Sequence, residues 1–282
     1  MGVVVVYLRI YVHLLLTMKA HEHIIKYLRE LPPITLEEMS SIRLMKRTDT
    51  KFLTDIMTLA LLLEKVKGNY YVQEINGTRV ANYSTTYWDD AEEHCMFRVH
   101  HSGHRPRTKV RVRSYLDSNL VFLEIKKKDN HGKTSKKRIK VPSLEAVVNE
   151  QFGGDFLQER TGLTFRDIIP TITNRFQRIT LVNYAKTERL TIDFDLHFHN
   201  LETGVEQAME RVVIIELKRD GRADSPILPL LRELRIKPSG FSKYCIGSAV
   251  TNAGLRQNLF KERITYIRKV AARGENIVNS FI

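Results

Sequence analysis

Along much of this chain apolar and charged residues alternate with a period of two, the repeat that sends successive side chains to opposite faces of a β-strand. The densest instance is Lys109-Val-Arg-Val-Arg-Ser-Tyr115, where Val110 and Val112 face one way and Lys109, Arg111 and Arg113 the other. At about 3.3 Å per residue this holds three cations within roughly 13 Å. Like charges on one strand face repel unless water or an anion separates them, so folding alone supplies no reason for the row. The pattern recurs. Phe122-Leu-Glu-Ile-Lys126 sets Glu124 and Lys126 against Leu123 and Ile125, and after an Asn130-His-Gly132 turn Lys136, Arg138 and Lys140 share a face. In Glu188 to Leu196, parity sets Arg189, Asp193 and Asp195 opposite Leu190, Ile192, Phe194 and Leu196, and Val212 to Lys218 brings Glu216 and Lys218 together.

Other stretches carry the helical spacing. Ile24, Ile25, Leu28 and Leu31 predict a helix over His21 to Leu31, stopped by Pro32-Pro33, and Thr35-Leu-Glu-Glu38 reads as a capping box opening a second. Leu44 to Leu53 reads as a strand with Arg47, Asp49 and Lys51 on one side, followed by an apolar helix over Thr54 to Lys67, capped by Thr54 and ended at Gly68. From Tyr70 to Val141 the pattern is β throughout, with His100-His-Ser-Gly-His104 read as a hairpin connection that needs no metal. Ser143 to Phe152 reads as a helix and 155 to 170 as a polar helical connection ending at Pro170. Arg175 to Asn183, Glu188 to His199 and Glu206 to Arg219 read as strands. Pro226 then opens a helix over Ile227 to Arg235, Ser242 caps another through Val250, and Leu255 to Ala272 forms a basic amphipathic one. No repeat or linker divides residues 18 to 282, which predicts a single domain. Val3 to Leu16, interrupted by Arg9 and His13, is about half a membrane span and has no cleavage site; residues 1 to 17 read as an extension, an extra β-strand or, in preference, a peripheral helix or translation from upstream of a start at Met18.

The totals sharpen this picture. With 43% hydrophobic and 27% charged residues in 282, the chain is an ordinary globular protein and not a disordered one. Lys and Arg exceed Asp and Glu by 45 − 32 = 13, which calls for an anionic partner: nucleotide, polyphosphate, nucleic acid or acidic membrane. Cys95 and Cys245 make no metal-ligand spacing, so a reduced, cytoplasmic protein is expected. His197 and His199 share a strand face as a candidate ligand pair, with exposed histidines as the simpler reading, and Tyr87 and Trp88 could stack a base or pack a core. Helices laid on the apolar faces would cover either an open sheet or a barrel turned inside out, whose basic rows converge on one volume.

The ordered set Arg47-x-x-x-Lys51-Phe, Tyr87-Trp-Asp89, Lys109-x-Arg-x-Arg113, Phe122-Leu-Glu-Ile-Lys126, Lys136-Lys-Arg138, Arg178, Glu188-Arg-Leu-Thr-Ile-Asp193, Ile215-Glu-Leu-Lys218 and Phe241-Ser-Lys-Tyr244 resembles VTC domains, over about residues 40 to 250. VTC domains are the polyphosphate-polymerase domains of the vacuolar transporter chaperone, in the triphosphate tunnel superfamily. The resemblance implies an α+β fold in which an antiparallel β-barrel forms a tunnel with a charged interior and outer helices. It implies transfer of the ATP γ-phosphate to a growing polyphosphate chain with Mn²⁺ or Mg²⁺. It casts Lys51, Arg111, Arg113, Lys126, Arg189 and Lys218 as catalytic cations, Arg47, Lys109, Lys136, Arg138, Arg178 and Lys243 as substrate ligands, and Glu216 as the metal ligand. The chemistry of these types agrees, since Arg matches phosphate in a bidentate fork and hard divalent ions take carboxylate and phosphate oxygens.

One departure is informative. Triphosphatases of the superfamily open with Glu-x-Glu-x-Lys, where this chain has Arg47-Thr-Asp-Thr-Lys51, and fewer carboxylates favour keeping a phosphate chain over hydrolysing it. A tunnel triphosphatase, and a non-catalytic binder of polyphosphate or nucleic acid, are the alternatives; ATP and pyrophosphate or polyphosphate are the expected ligands, and nucleic acid is not. The SPX domain and membrane helices of eukaryotic relatives are not found in this sequence, so a membrane protein partner would be a separate chain.

Overall fold

A computed structural model describes residues 17–40, 47–90, 92–149, 151–221 and 223–273; the stretch Val3 to Leu16 and the first residues of the strand predicted from Leu44 lie outside them. In chain order the elements are a helix α1 (17–30), β1 Pro33–Ile34, α2 Leu36–Ser40, β2 Arg47–Asp55, α3 Ile56–Lys65, β3 Tyr70–Gln73 and β4 Ala81–Asp89. There follow α4 Cys95–Ser102, β5 Arg107–Tyr115, β6 Leu120–Lys128, β7 Thr134–Val141, α5 Leu144–Asn149, α6 Gly154–Thr161, β8 Ile169–Asn183 and β9 Glu188–Asn200. The chain continues with β10 Glu206–Met209, β11 Val212–Asp220, α7 Ile227–Glu233, α8 Lys243–Thr251 and α9 Lys261–Ala271. Among the described residues no helix is long and apolar enough to cross a membrane.

The fold is α+β around one large sheet in the order β2-β11-β9-β8-β4-β5-β6-β7, antiparallel along that whole path, with β3 also on β8 and β10 also on β9. The alternation decides which face is which. One face presents Ile179, Leu181, Leu190, Ile192, Val213, Ile215 and Leu217, buried with Ile24 and Leu28 of α1, Leu59, Leu62 and Leu63 of α3, and Ile227 and Leu231 of α7. Farther along the same face, Val110, Val112, Leu123 and Ile125 bury Trp88 with Val147 of α5 and Leu157 of α6, so Trp88 is a core residue.

The opposite face is concave. β2 and β5 stand five neighbours apart in the sheet order, about 24 Å if the sheet were flat. Yet Lys51 of β2 donates to the Phe241 carbonyl at 3.2 Å, and Lys109 of β5 donates to Oγ of the next residue, Ser242, at 2.9 Å. The sheet therefore curls until its two wings meet one short segment. At that end the concavity is filled: Leu53, Tyr87, Ile172, Phe176, Leu196 and Phe198 pack against Phe97 of α4, Tyr244, Cys245 and Ile246 of α8, and Ile264 and Ile267 of α9.

Curling stops short of the predicted barrel. Among the described strands β2 and β7 do not pair, and the sheet is open. The β2 edge is already occupied: Phe52 forms an antiparallel bridge with Pro238, and the Ser239 N–H donates to the Lys51 carbonyl at 2.8 Å.

Four smaller expectations need correction. The α3 cap is Asp55, whose carboxylate accepts from Thr58 N–H at 3.0 Å, because Thr54 is still a strand residue paired with Val213. The histidine run is not a hairpin connection; His100 and His101 end helix α4. The strand predicted over Glu206 to Arg219 is interrupted at Glu210-Arg211, where the pairing with β9 shifts by two residues. Opposite the break, Asp195 takes φ 53° in a β-bulge, so parity flips and Leu196 joins the face of Asp193. The capping box at Thr35 is as expected, with Thr35 N–H on Glu38 Oε2 at 2.8 Å and Glu38 N–H on Thr35 Oγ1 at 3.2 Å.

Gly247 is where α8 meets the sheet. A Cβ there would stand 2.7 Å from Phe198 Cε1 and 2.8 Å from Ile172 Cδ1, so only glycine lets α8 lie this close. Gly247→Val is expected to cost about 1–3 kcal/mol or more through overpacking. Urea denaturation should record a lower midpoint at unchanged m.

Candidate functional site

The concave face carries the charged residues. Along β5 it presents Lys109, Arg111 and Arg113, and the register sets Lys109 opposite Lys126 of β6 and Lys126 opposite Lys136 of β7, three ammonium groups in one cross-strand row. The next row reads Arg111, Glu124, Arg138. On the other wing Lys51 stands opposite Glu216, and Lys218 is flanked by Asp49 and Arg189. Arg178 of β8 faces Asp193 of β9, and Lys243 reaches in from the first turn of α8. The structure thus brings Lys51, Lys109, Arg111, Arg113, Lys126, Lys136, Arg178, Arg189, Lys218, Lys243 and Glu216 to one concavity, with Arg138 on its rim. Arg47 begins β2 opposite Asp220, and its side chain lies outside the described residues.

Three carboxylates share out among these cations. Glu124, buried, receives Arg111 Nη2 at 2.6 Å and Lys136 Nζ at 2.5 Å. Asp193, also buried, holds Arg178 through two hydrogen bonds, Nε to Oδ1 at 2.5 Å and Nη2 to Oδ2 at 2.8 Å, and takes Lys243 as well. Glu216 has Lys218 Nζ at 2.7 Å and is still a quarter exposed, at 24% of its side chain against 1% for Glu124 and 6% for Asp193. Among the described residues, Lys51, Lys109 and Arg113 hydrogen-bond only to neutral oxygens, those of Phe241, Ser242 and Thr85. Glu124 and Asp193 are therefore internal counterions, and Glu216 is the carboxylate that opens onto the concavity.

Titration follows from this imbalance. Burial alone would raise the Glu216 carboxyl, but Lys51, Lys218 and Arg178 hold it down at about 2. Burial opposes ionisation of Glu124 too, and Arg111, Arg113 and Lys136 bring it to about 2. The lysines move the other way. Desolvation first, then neighbouring cations such as Lys51, lowers Lys109 and Lys126 to about 8. Desolvation takes Lys136 to about 8 and Lys243 to about 7 even though Glu124 and Asp193 pull them back. Burial is the common cause and neighbouring cations add to it, and a polyanion in the concavity would offset both.

The closed end is built by Asp89, Ser242 and His100, of which the sequence shows only the Ser242 cap. Asp89 accepts the N–H groups of Met96 and Phe97, both at 2.9 Å, capping α4, and also takes the Tyr244 hydroxyl at 2.5 Å. One carboxylate thereby fixes α4 and α8 to β4. Ser242 caps α8 by accepting from Cys245 N–H at 3.2 Å while it holds Lys109. His100, edge-on to Tyr244, is pushed down to about 3 by burial and then by Lys109, and its Nδ1 lies 2.7 Å from the Met96 carbonyl. His197 lies with Asp195 and Glu210, their ligand atoms within 4.8 Å of one another, while Leu196 and Phe198 beside it point into the filled end of the concavity. That acidic group is outside the cation-lined concavity.

A family profile described as the VTC domain matches residues 46–252. The chain belongs to the VTC domain family. Among solved structures it is similar to an adenylate cyclase candidate from Bacillus halodurans, with 13% identity, covering 70% of this chain and 96% of that one at a TM-score of 0.46. It is also similar to an adenylyl cyclase candidate from Hippeastrum described as having a dominant triphosphatase activity, with 16% identity, covering 76% and 99% of the two chains at a TM-score of 0.47. No curated protein matches.

The depressed lysines make polyanion binding a protonation event. Their folded-state values lie below the ordinary 10.5, so between about 7 or 8 and 10.5 the unfolded chain holds more protons and stability rises with pH. A bound polyphosphate reverses the penalty and draws protons back. Calorimetric titration with long-chain polyphosphate, whose internal phosphates stay ionised, should show net proton uptake at pH 8.5 across buffers of different ionisation enthalpy, and little near pH 6.

Proposed function

We propose that this chain, over residues 18–282, is a polyphosphate polymerase that moves the γ-phosphoryl group of ATP onto the end of a polyphosphate chain held in the cation-lined concavity. The observation that carries the reading is the mismatch of charge there: among the described residues Lys51, Lys109 and Arg113 hydrogen-bond only to neutral oxygens, beside the cross-strand row Lys109, Lys126, Lys136. Phosphoryl transfer asks mainly for positioning and charge neutralisation, which fixed cations supply without a nucleophilic side chain. A terminal oxygen of the acceptor chain attacks the γ-phosphorus as the bond to the β,γ-bridging oxygen breaks, and ADP leaves with that electron pair. Arg111, Arg113, Lys126 and Arg189 bind and orient the phosphates, with Lys51, Lys109, Lys136, Arg138, Arg178, Lys218 and Lys243 extending the path.

The donor set suits a hard divalent cation. Glu216 stays ionised, opens onto the concavity, and has Asp49 on the neighbouring strand one face position away, an all-oxygen pair to which phosphate oxygens would be added. Mn²⁺ or Mg²⁺ held by Glu216 would neutralise charge on the phosphates. Glu124 and Asp193 are less suited, because each is buried and spent on cations of the fold.

Incubating the purified protein with ATP and Mn²⁺ and resolving the products on a polyphosphate gel tests the reading; a ladder of long chains is expected, and orthophosphate alone would overturn it in favour of a triphosphatase. Glu216→Gln should lower ATP turnover about a hundred-fold or more while leaving tripolyphosphate binding intact. Lys126→Gln removes a cation that makes no ion pair among the described residues, so it should raise KM and lower kcat together without loss of stability.

A further inference from the structure

The filled end of the concavity is lined by α4, α8 and α9, and the opposite end carries a different chemistry. Toward it, starting from Phe176 and Tyr83 at the edge of the filled end, aromatic side chains stand in a row across four strands on the same concave face. Phe176 of β8 stacks on Tyr83 of β4, with ring centroids 5.2 Å apart and planes 9° from parallel. Tyr83 meets Tyr115 of β5 at 4.9 Å, and Tyr115 meets Phe122 of β6 edge-on at 5.8 Å. The inner pair is the more enclosed: Phe176 is buried, whereas Tyr115 and Phe122 are partly buried. At this outer end Arg138 lies over the Phe122 ring at 4.3 Å and donates to the Tyr115 hydroxyl at 3.5 Å.

We infer that Tyr115, Phe122 and Arg138 form a nucleobase platform, on which the base of a nucleoside triphosphate stacks while its phosphates run inward to Arg113 and Arg111. The inference rests on the phosphate-binding role proposed above for the concave face. Its spacing comes from the strands. Tyr115 is two residues beyond Arg113 on one strand face, about 7 Å, and Phe122 is the cross-strand partner of Arg113, a separation that a ribose bridges. A partly buried ring pair with an exposed guanidinium above it offers a planar base two stacking surfaces, one aromatic and one cationic.

The same neighbourhood predicts tolerance for the kind of base. Asn82 and Gln177 alternate with Tyr83 and Phe176, so these amides lie on the other sheet face, where Asn82 donates to Asp117 at 2.8 Å and Gln177 to Asn82 at 3.5 Å. Stacking without hydrogen-bond readout does not separate adenine from guanine.

Isothermal titration of the full chain with ATP, GTP and tripolyphosphate, in wild type, Tyr115→Leu and Phe122→Leu, tests the platform. Leucine keeps apolar bulk on the wall, and retained tripolyphosphate binding reports that the fold and the cations are intact. Each variant is expected to bind ATP and GTP about ten-fold more weakly, and tripolyphosphate within about two-fold of wild type. If ATP weakens no more than tripolyphosphate does, the platform is overturned while the phosphate site stands. If GTP is untouched while ATP weakens, the stacking account is overturned. If wild type binds none of the three, the proposed function falls and takes the platform with it.

Discussion

The structure depends on holding more positive charge on one curled sheet face than that face can neutralise. Two unit charges about 5 Å apart repel by about 3 kcal/mol at an effective dielectric constant near 20. The row Lys109, Lys126, Lys136 would on that scale flatten or splay a sheet that had nothing behind it. What stands behind it is the convex face, where each buried Val, Ile or Leu contributes about 1.5–3 kcal/mol and α1, α3, α5, α6 and α7 cover the strands. Glu124 and Asp193 remove part of the repulsion, each placed between two cations from different elements. The remainder adds to burial in lowering the lysines, and it would favour taking up an anion.

Geometry turns that excess into a directional site. The segment 238–243 covers the β2 edge, receives Lys51 and Lys109, and sends Lys243 to Asp193, so it closes one end and leaves a trough rather than a ring. Asp89 anchors this end by tying α4 and α8 to the same strand. From there the concave face passes from lysines and arginines around Glu216 to aromatic rings at the far end. An elongated anion with a planar head is the shape that such a surface complements.

The strands and their charged faces were legible from the period-two pattern, since residues such as Val110 and Arg111 have no other way to separate apolar from charged groups on neighbouring positions. Three features were hidden because their causes are not local. Helix α4 has no capping side chain of its own at His94; Asp89 and Asp90 cap it from the end of β4 and the turn after it. The bulge at Asp195 breaks the parity of β9, and its counterpart is the interruption at Glu210-Arg211, residues that sequence gives no reason to set opposite it. The open sheet results from Pro238 docking on Phe52, a contact across the whole chain. Glu216 could be singled out only through the VTC resemblance, and its distinction from Glu124 and Asp193 required knowing which carboxylates are buried.

Unmatched charge as a phosphate-chain site is the central claim, and thermal unfolding at constant ionic strength addresses it most directly. Tripolyphosphate at about one hundred times its Kd contributes about 2.7 kcal/mol to the folded state, which for a chain of this size raises Tm by roughly 5–10 °C. The shift should shrink as sodium chloride is added, because exposed parts of the trough are screened. A Tm that moves no further in tripolyphosphate than in chloride at equal ionic strength would contradict the account.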